Sequence, residues 1–431
     1  MAGQRCGADE GRRRSGGPRR AAARRAVGVA LVVLLPLVGC SSAPSVPDSS
    51  RGSATARDIR TVLDRRAAAV LDHDPAGYLA AVDPRDAALR AAQSRELRNL
   101  ADVPLSSWTY RVRSVRERGA GRATADVELR YRIDGYDNAP VTSDRRLDLE
   151  RDEPAGRWYI AADRPGGDGG RELWQQGDVQ VVRGSRSLVL GVGREPAELR
   201  RIADTTDRAV PAVSAAWPRT WARRVVVLVP DSVEDMAELL GSPAANYRGI
   251  AAVTTGETGG DRAKAPADRV IVNPQAYALL GSVGQRVVLT HETTHVATRA
   301  DTSAATPLWL SEGFADWAAY RDEHGTDAEI APELADAVRR GDLPATLPTD
   351  EDFGFAGDAD RLARAYEGGR LACALIADRW GEEKLIAFYK AVGAGQERDG
   401  AVERATHEVL ATTPQDLTAR WREYLRDRLT A

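Results

Sequence analysis

The chain has 431 residues, 43% of them hydrophobic, enough apolar material for more than one core. Its formal net charge is −3, but residues 1–39 hold eight arginines against Asp9 and Glu10, a net of +6 that leaves −9 on the remainder. A mildly acidic body lacks the electrostatic footprint of a nucleic-acid binder. Cys6 and Cys40 fall in or at the end of the leader, so Cys373 is the one thiol of the folded part and no internal disulfide forms.

An arginine-rich segment running to Arg25 precedes a 13-residue apolar run, residues 26–38. That run is too short to span a bilayer comfortably and suits the core of a signal peptide. It ends in Leu37-Val38-Gly39-Cys40, which resembles the lipobox of bacterial lipoproteins. The resemblance implies that residues 1–39 are a cleaved lipoprotein signal peptide and that Cys40 is diacylated. Two acyl chains would hold the protein on the outer face of the cytoplasmic membrane. The alternative is an ordinary secreted protein in which Cys40 is incidental. Residues 40–54, mostly Ser, Pro, Gly and Ala, read as a flexible tether.

Between residues 55 and 165 the pattern predicts helices and then strands. Ile59, Val62, Leu63, Ala67, Val70 and Leu71 recur at helical spacing, and residues 78–82 and 87–100 predict two more helices. Alternating segments at 108–115, 123–133, 145–149 and 158–160 predict an antiparallel sheet, so this stretch is α+β. The order resembles the cone-like nuclear-transport-factor fold; a pocket in such a cone could bind something small, and a spacer or recruitment role is the favoured expectation. His73, between Asp72 and Asp74, reads as a solvated turn residue.

Gly-Gly-Asp-Gly-Gly at 166–170 marks a boundary. Beyond it, residues 179–182 and 187–190 predict paired strands, 196–216 and 232–240 helices, and 225–229 a buried strand. Residues 250–255 and 269–273 predict two further strands, after which the chain reads as nearly all helical. The expectation for 171–431 is a small mixed sheet followed by helices. Cys373 lies in an apolar helical run and reads as core.

His291-Glu292-Thr293-Thr294-His295 places two imidazoles four residues apart, on one face of a helix, where both can grip one ion. Ser282 with Gln285 three residues on predicts a capping box at that helix's start. Thr306 as N-cap and Pro307 as first residue predict a second helix carrying Glu312 and Asp316. Glu312 suits the third ligand of a two-histidine, one-carboxylate zinc site. Asp316, one turn on, can accept the free N–H of a liganding imidazole, expected to be His291. His324 and His407 lie in polar surroundings and read as surface residues.

His291-Glu292-x-x-His295, with Glu312 following after sixteen residues in Leu310-Ser311-Glu312-Gly313-Phe314-Ala315, resembles the gluzincin zinc metallopeptidases. These include the aminopeptidase N-like and thermolysin-like families, and the match is nearest to the peptidase-MA-like group of exported bacterial proteins. The resemblance covers residues 171–431. It implies one zinc ion, a peptide or protein substrate, and Glu292 as general base. It also implies that residues 250–255 are the edge strand on which an extended substrate pairs. Tyr366, in Ala365-Tyr366-Glu367-Gly368-Gly369, is similar to the oxyanion-donating tyrosine of the aminopeptidase-like members, with Gly368 where a lysine is usual. The Gly-Ala-Met-Glu-Asn exopeptidase motif is absent, so aminopeptidase specificity does not carry over. A non-catalytic substrate-binding lipoprotein that keeps the fold is the rival reading. Glu292 argues against it, because ligation alone does not need that carboxylate.

Overall fold

The structure is a computed structural model and describes residues 49–430, apart from 154, 168, 256–267, 355–357 and 396. The expected signal peptide, Cys40 and the tether as far as residue 48 lie outside the described residues. Helix α1 (Ser49–Leu71) takes in the last residues of the stretch expected as tether. Its buried face at Ile59 and Leu63 fixes the helix, and Ala54 and Ala56 extend it backward at little cost. Helix α2 (Pro75–Leu79) starts earlier than residues 78–82 suggested, because the Asp74 side chain caps it and Pro75 supplies a preformed first residue. Asp86 caps α3 (Ala87–Leu100) in the same way.

Strands β1 (Leu105–Gly119), β2 (Arg122–Ile133), β3 (Val141–Arg151) and β4 (Trp158–Pro165) form an antiparallel sheet in that order. α1 lays Ile59 and Leu63 on Ala125, Val127, Leu147 and Ile160 of its inner face. After the short α4 (Leu173–Gln176) comes a second sheet, of order β5-β6-β7-β9-β8. β5 (Val179–Arg183) and β6 (Ser187–Val192) make a hairpin. Parallel pairing joins β6 to β7 (Val225–Val229) and β7 to β9 (Val270–Val272). Helices α5 (Pro196–Ala216) and α6 (Val233–Leu240) lie in the connections between them. β8 (Ala252–Thr254) runs antiparallel to β9 at one end of the sheet. The Val-Val-Val-Leu-Val run of β7 is central, as an unbroken apolar strand should be.

The two sheets share a core. Trp108 and Tyr131 of the first meet Trp174, Leu188 and Leu190, with the Tyr131 and Trp174 rings edge-to-face at 5.1 Å. Arg269, at the head of β9, donates two hydrogen bonds of 2.7 and 2.8 Å to Asp137 in the β2–β3 connection. Asn99 of α3 donates to the carbonyls of Trp174 and Gly177. The described residues on both sides of the 166–170 glycines therefore pack as one compact unit.

From α7 (Pro274–Ala278) the chain is helical: α8 (Ser282–Thr298), α9 (Leu308–Tyr320), α10 (Asp327–Ile330), α11 (Pro332–Arg339), α12 (Ala359–Trp380), α13 (Glu382–Gly393), α14 (Ala401–Leu410) and α15 (Pro414–Leu429). They enclose a core containing Trp217, Phe314, Leu371, Phe388, Tyr389 and Trp421. Cys373 is fully buried in it, and burial pushes its thiol pKa up, as an inert core residue requires. Among the described residues no helix is long and apolar enough to cross a membrane. The architecture is mixed α and β, an antiparallel sheet and a mixed sheet followed by helices.

Candidate metal centre

Two helices and one glycine contact build the site. α8 opens with Gly281 as N-cap, and the expected Ser282–Gln285 box does not form. The Gln285 side chain donates instead to the carbonyl of Tyr277, in the helix just before. Within α8, the hydroxyls of Thr294 and Thr298 donate to carbonyls four residues back, at 2.8 and 3.0 Å, which lets a threonine-rich helix be buried. α9 also starts differently from expectation. Thr306 turns to accept from the Ser303 N–H, and Pro307 takes the N-cap position. The carboxylate of Asp350, forty-two residues on, accepts from the Leu308 N–H at 2.8 Å.

α9 is buried along most of its length and packs tightly on α12. A Cβ on Gly313 would lie 2.3 Å from the carbonyl atoms of Gly369, and one on Gly369 would lie 2.7 Å from the Trp309 oxygen. Two glycines thus let the backbones meet where any side chain would hold them apart. That approach carries Tyr366 of α12 to the first helix of the site, its ring centroid 6.2 Å from that of His291. Phe353 buttresses Tyr366 edge-on at 5.1 Å.

On α8 the one-turn spacing brings the imidazoles of His291 and His295 together edge-on, at an interplanar angle of 68°, with their Nε2 atoms 2.9 Å apart. Oε2 of Glu312 lies 3.3 Å from Nε2 of His291 and 3.4 Å from Nε2 of His295. Two donors each about 2.1 Å from a shared tetrahedral ion would sit about 3.4 Å from one another; the two Glu312–imidazole separations match this and the imidazole pair is closer, so the trio could hold a single ion. The side chains are nearly enclosed, at 11, 6 and 8% exposure for His291, His295 and Glu312. Among the described residues no other three His, Cys, Asp or Glu side chains converge in this way.

Asp316 lies 2.7 Å from Nδ1 of His291. An ionised carboxylate can only accept, so Nδ1 carries a proton and Nε2 is the nitrogen that faces Glu312. Burial opposes charge on His291, but the hydrogen bond to Asp316 and the neighbouring Glu312 and Glu292 outweigh it and hold its pKa well above the usual imidazole range. Burial likewise opposes ionisation of Glu312, yet His295 and His291 hold its carboxyl far below the usual carboxylate range. The pocket is built to hold positive charge.

Glu292 is 5% exposed and points from α8 toward the second sheet. Its Oε2 accepts a 2.7 Å hydrogen bond from Oγ1 of Thr254, the last residue of β8. Nearby, Arg299, one turn beyond His295, pairs with Asp268 at 2.9 Å and donates to the Thr255 carbonyl at 2.8 Å. A cavity of about 550 Å³ opens beside Asp316 and Tyr366, walled by Ile250, Leu362, Tyr320 and Arg370.

The structure thus brings together His291, Glu292, His295, Glu312, Asp316 and Tyr366, all singled out by sequence. Cys40 falls outside the described residues. His73, His324 and His407 are exposed. Thr254 and Arg299 are the neighbours that sequence reasoning missed. A threonine ending a strand reads only as a good β-former, and the sole hint at Arg299 is its four-residue spacing from His295.

No protein-family model matches this chain, and no curated protein matches it in sequence. What stands is the chemistry of the residues themselves: a buried group of two histidines and a glutamate that could hold a metal ion.

Proposed function

We propose that the protein is a gluzincin-like zinc metallopeptidase, anchored through a lipidated Cys40 to the outer face of a bacterial cytoplasmic membrane. The observation that carries this reading is the convergence of His291, His295 and Glu312 with Glu292 buried beside them on the same helix. Two imidazoles and a carboxylate form the donor set that catalytic zinc takes, and this nitrogen-rich set suits zinc better than hard cations such as magnesium. Zinc bound there supplies Lewis acidity, polarising the scissile carbonyl and easing deprotonation of water.

The chain's own residues do the rest. Asp316 keeps the His291 ring oriented with its Nε2 lone pair inward. Glu292 takes a proton from the attacking water and passes it to the departing amine. Tyr366 donates to the oxygen on which charge develops, a contact typically worth about 3 kcal/mol in comparable sites. β8, at the end of its sheet, offers an edge on which an extended peptide can pair, and the adjoining cavity receives a side chain. A buried carboxylate that a metal does not need for ligation is costly to keep, which favours catalysis over storage or simple binding.

The test is to incubate the purified protein, with zinc quantified, with denatured proteins and to sequence the products. Defined new termini support the peptidase. One zinc per chain with no product across a broad library supports the binding protein instead.

A further inference from the structure

We propose that Thr254 is a positioning residue for Glu292, its hydroxyl fixing the carboxylate so that the proton carrier is held by the very strand on which substrate would pair. This role rests on Glu292 being the proton carrier of the proposed reaction.

The placement follows from the strand's own geometry. In β8 alternate side chains face opposite ways. Val253 points toward Met236 and Ile271, whereas Ala252 packs in the cluster that includes Leu289 of α8. Thr254 therefore faces α8 with Ala252, and it is fully buried. Its Oγ1 lies 2.7 Å from Oε2 of Glu292 and 3.0 Å from the Glu292 carbonyl. A hydroxyl has one proton to give, and the shorter bond to the charged oxygen is the stronger claim on it.

The end of the strand is fastened on two sides, so this hydroxyl cannot drift relative to α8. The Thr255 N–H donates to the Arg269 carbonyl at 2.9 Å, and the Arg269 N–H donates back to Thr255 Oγ1 at 2.8 Å. Arg299, at the end of α8, donates to the Thr255 carbonyl at 2.8 Å. The backbone carrying Thr254 is thus tied to the helix carrying Glu292, and one hydrogen bond links substrate edge to carboxylate. A purely structural threonine would be satisfied by the Glu292 carbonyl alone, and its loss would not single out turnover.

The experiment uses the full chain loaded with zinc, comparing Thr254→Val, which keeps the shape and removes the donor, with Thr254→Ser, which keeps the donor. Thr254→Ala serves as a second donor-free variant should valine fail to fold. Misplacing a reacting group by about an ångström costs about 10²-fold, so Thr254→Val should lose about 10–100-fold in kcat with KM within about 2-fold, while Thr254→Ser stays within about 3-fold of wild type. Zinc content should stay at one ion per chain in both. Crystal structures of the two variants give a readout independent of turnover: the Glu292 carboxylate should leave its place in Thr254→Val and keep it in Thr254→Ser. A carboxylate that stays put in Thr254→Val, or an unchanged kcat, overturns the role of Thr254. Absence of cleavage by wild type overturns the peptidase reading instead, and the crystallographic comparison still decides what Thr254 does.

Discussion

Asp316 accepts the Nδ1 proton of His291 across 2.7 Å, and Glu312, one turn earlier on the same helix, lies 3.3 Å from the opposite nitrogen of that ring. One imidazole is thus gripped from both ends by a single face of α9, and the two carboxylates have separable tasks. In the proposed zinc site Glu312 would offer a donor atom to the ion, whereas Asp316 would orient a ligand.

Removing them should therefore differ in kind. Glu312→Ala deletes one of three donors and should strip most of the zinc on dialysis. Asp316→Asn leaves the trio complete but weakens the hold on His291, so affinity should fall by about 10–100-fold with stoichiometry intact. Metal analysis and competition with a chromophoric chelator separate the two cases. Full, equal occupancy in both variants would place the third ligand elsewhere.

Arg269 and Asp137 join the two sheets through a bidentate pair whose side chains are 6 and 1% exposed. Truncating one partner leaves the other charge buried without its counter-ion, a loss of about 3–5 kcal/mol. Asp137→Ala should lower stability by that amount in denaturant titration. A change below about 1 kcal/mol, the scale of an exposed pair, would mean that water reaches the pair.

Glu96, on α3, sets a pH dependence of its own. Burial, reinforced by the charge of Asp163, raises its pKa from 4.5 to about 7. The folded protein then favours the protonated form, so this group's contribution is fully present below about 4.5 and is lost as the pH rises through 7. Glutamine at this position can still accept from Gln93 and Gln175 without ionising. Relative to wild type, Glu96→Gln should gain thermal stability progressively between pH 4.5 and 7. Parallel stability curves for the two proteins would contradict this.

The centre of the site was legible in sequence because side chains that share a helix face recur at local periods. His291 and His295 share a face by their spacing alone, as do Glu312 and Asp316. Partners chosen by tertiary approach left no such period. Ser282 and Thr306 have the right chemistry for caps, yet Gly281 and Pro307 hold the cap positions and Asp350 satisfies the Leu308 N–H. Thr254 meets Glu292 across 38 positions and Arg269 meets Asp137 across 132, distances at which no sequence pattern speaks. Gly369 reads in sequence as part of a tyrosine motif, whereas in the fold it lets α12 touch α9.

The central claim is that Glu292 moves a proton and does not hold the ion. Glu292→Gln keeps nearly the same volume and can still accept from Thr254, but it cannot take a proton at neutral pH. The decisive measurement is peptide cleavage by wild type and Glu292→Gln, with zinc quantified in both. The variant should fold, bind one zinc per chain and lose turnover by about 10²–10⁴-fold. Turnover equal to wild type in a zinc-loaded Glu292→Gln would contradict the mechanism.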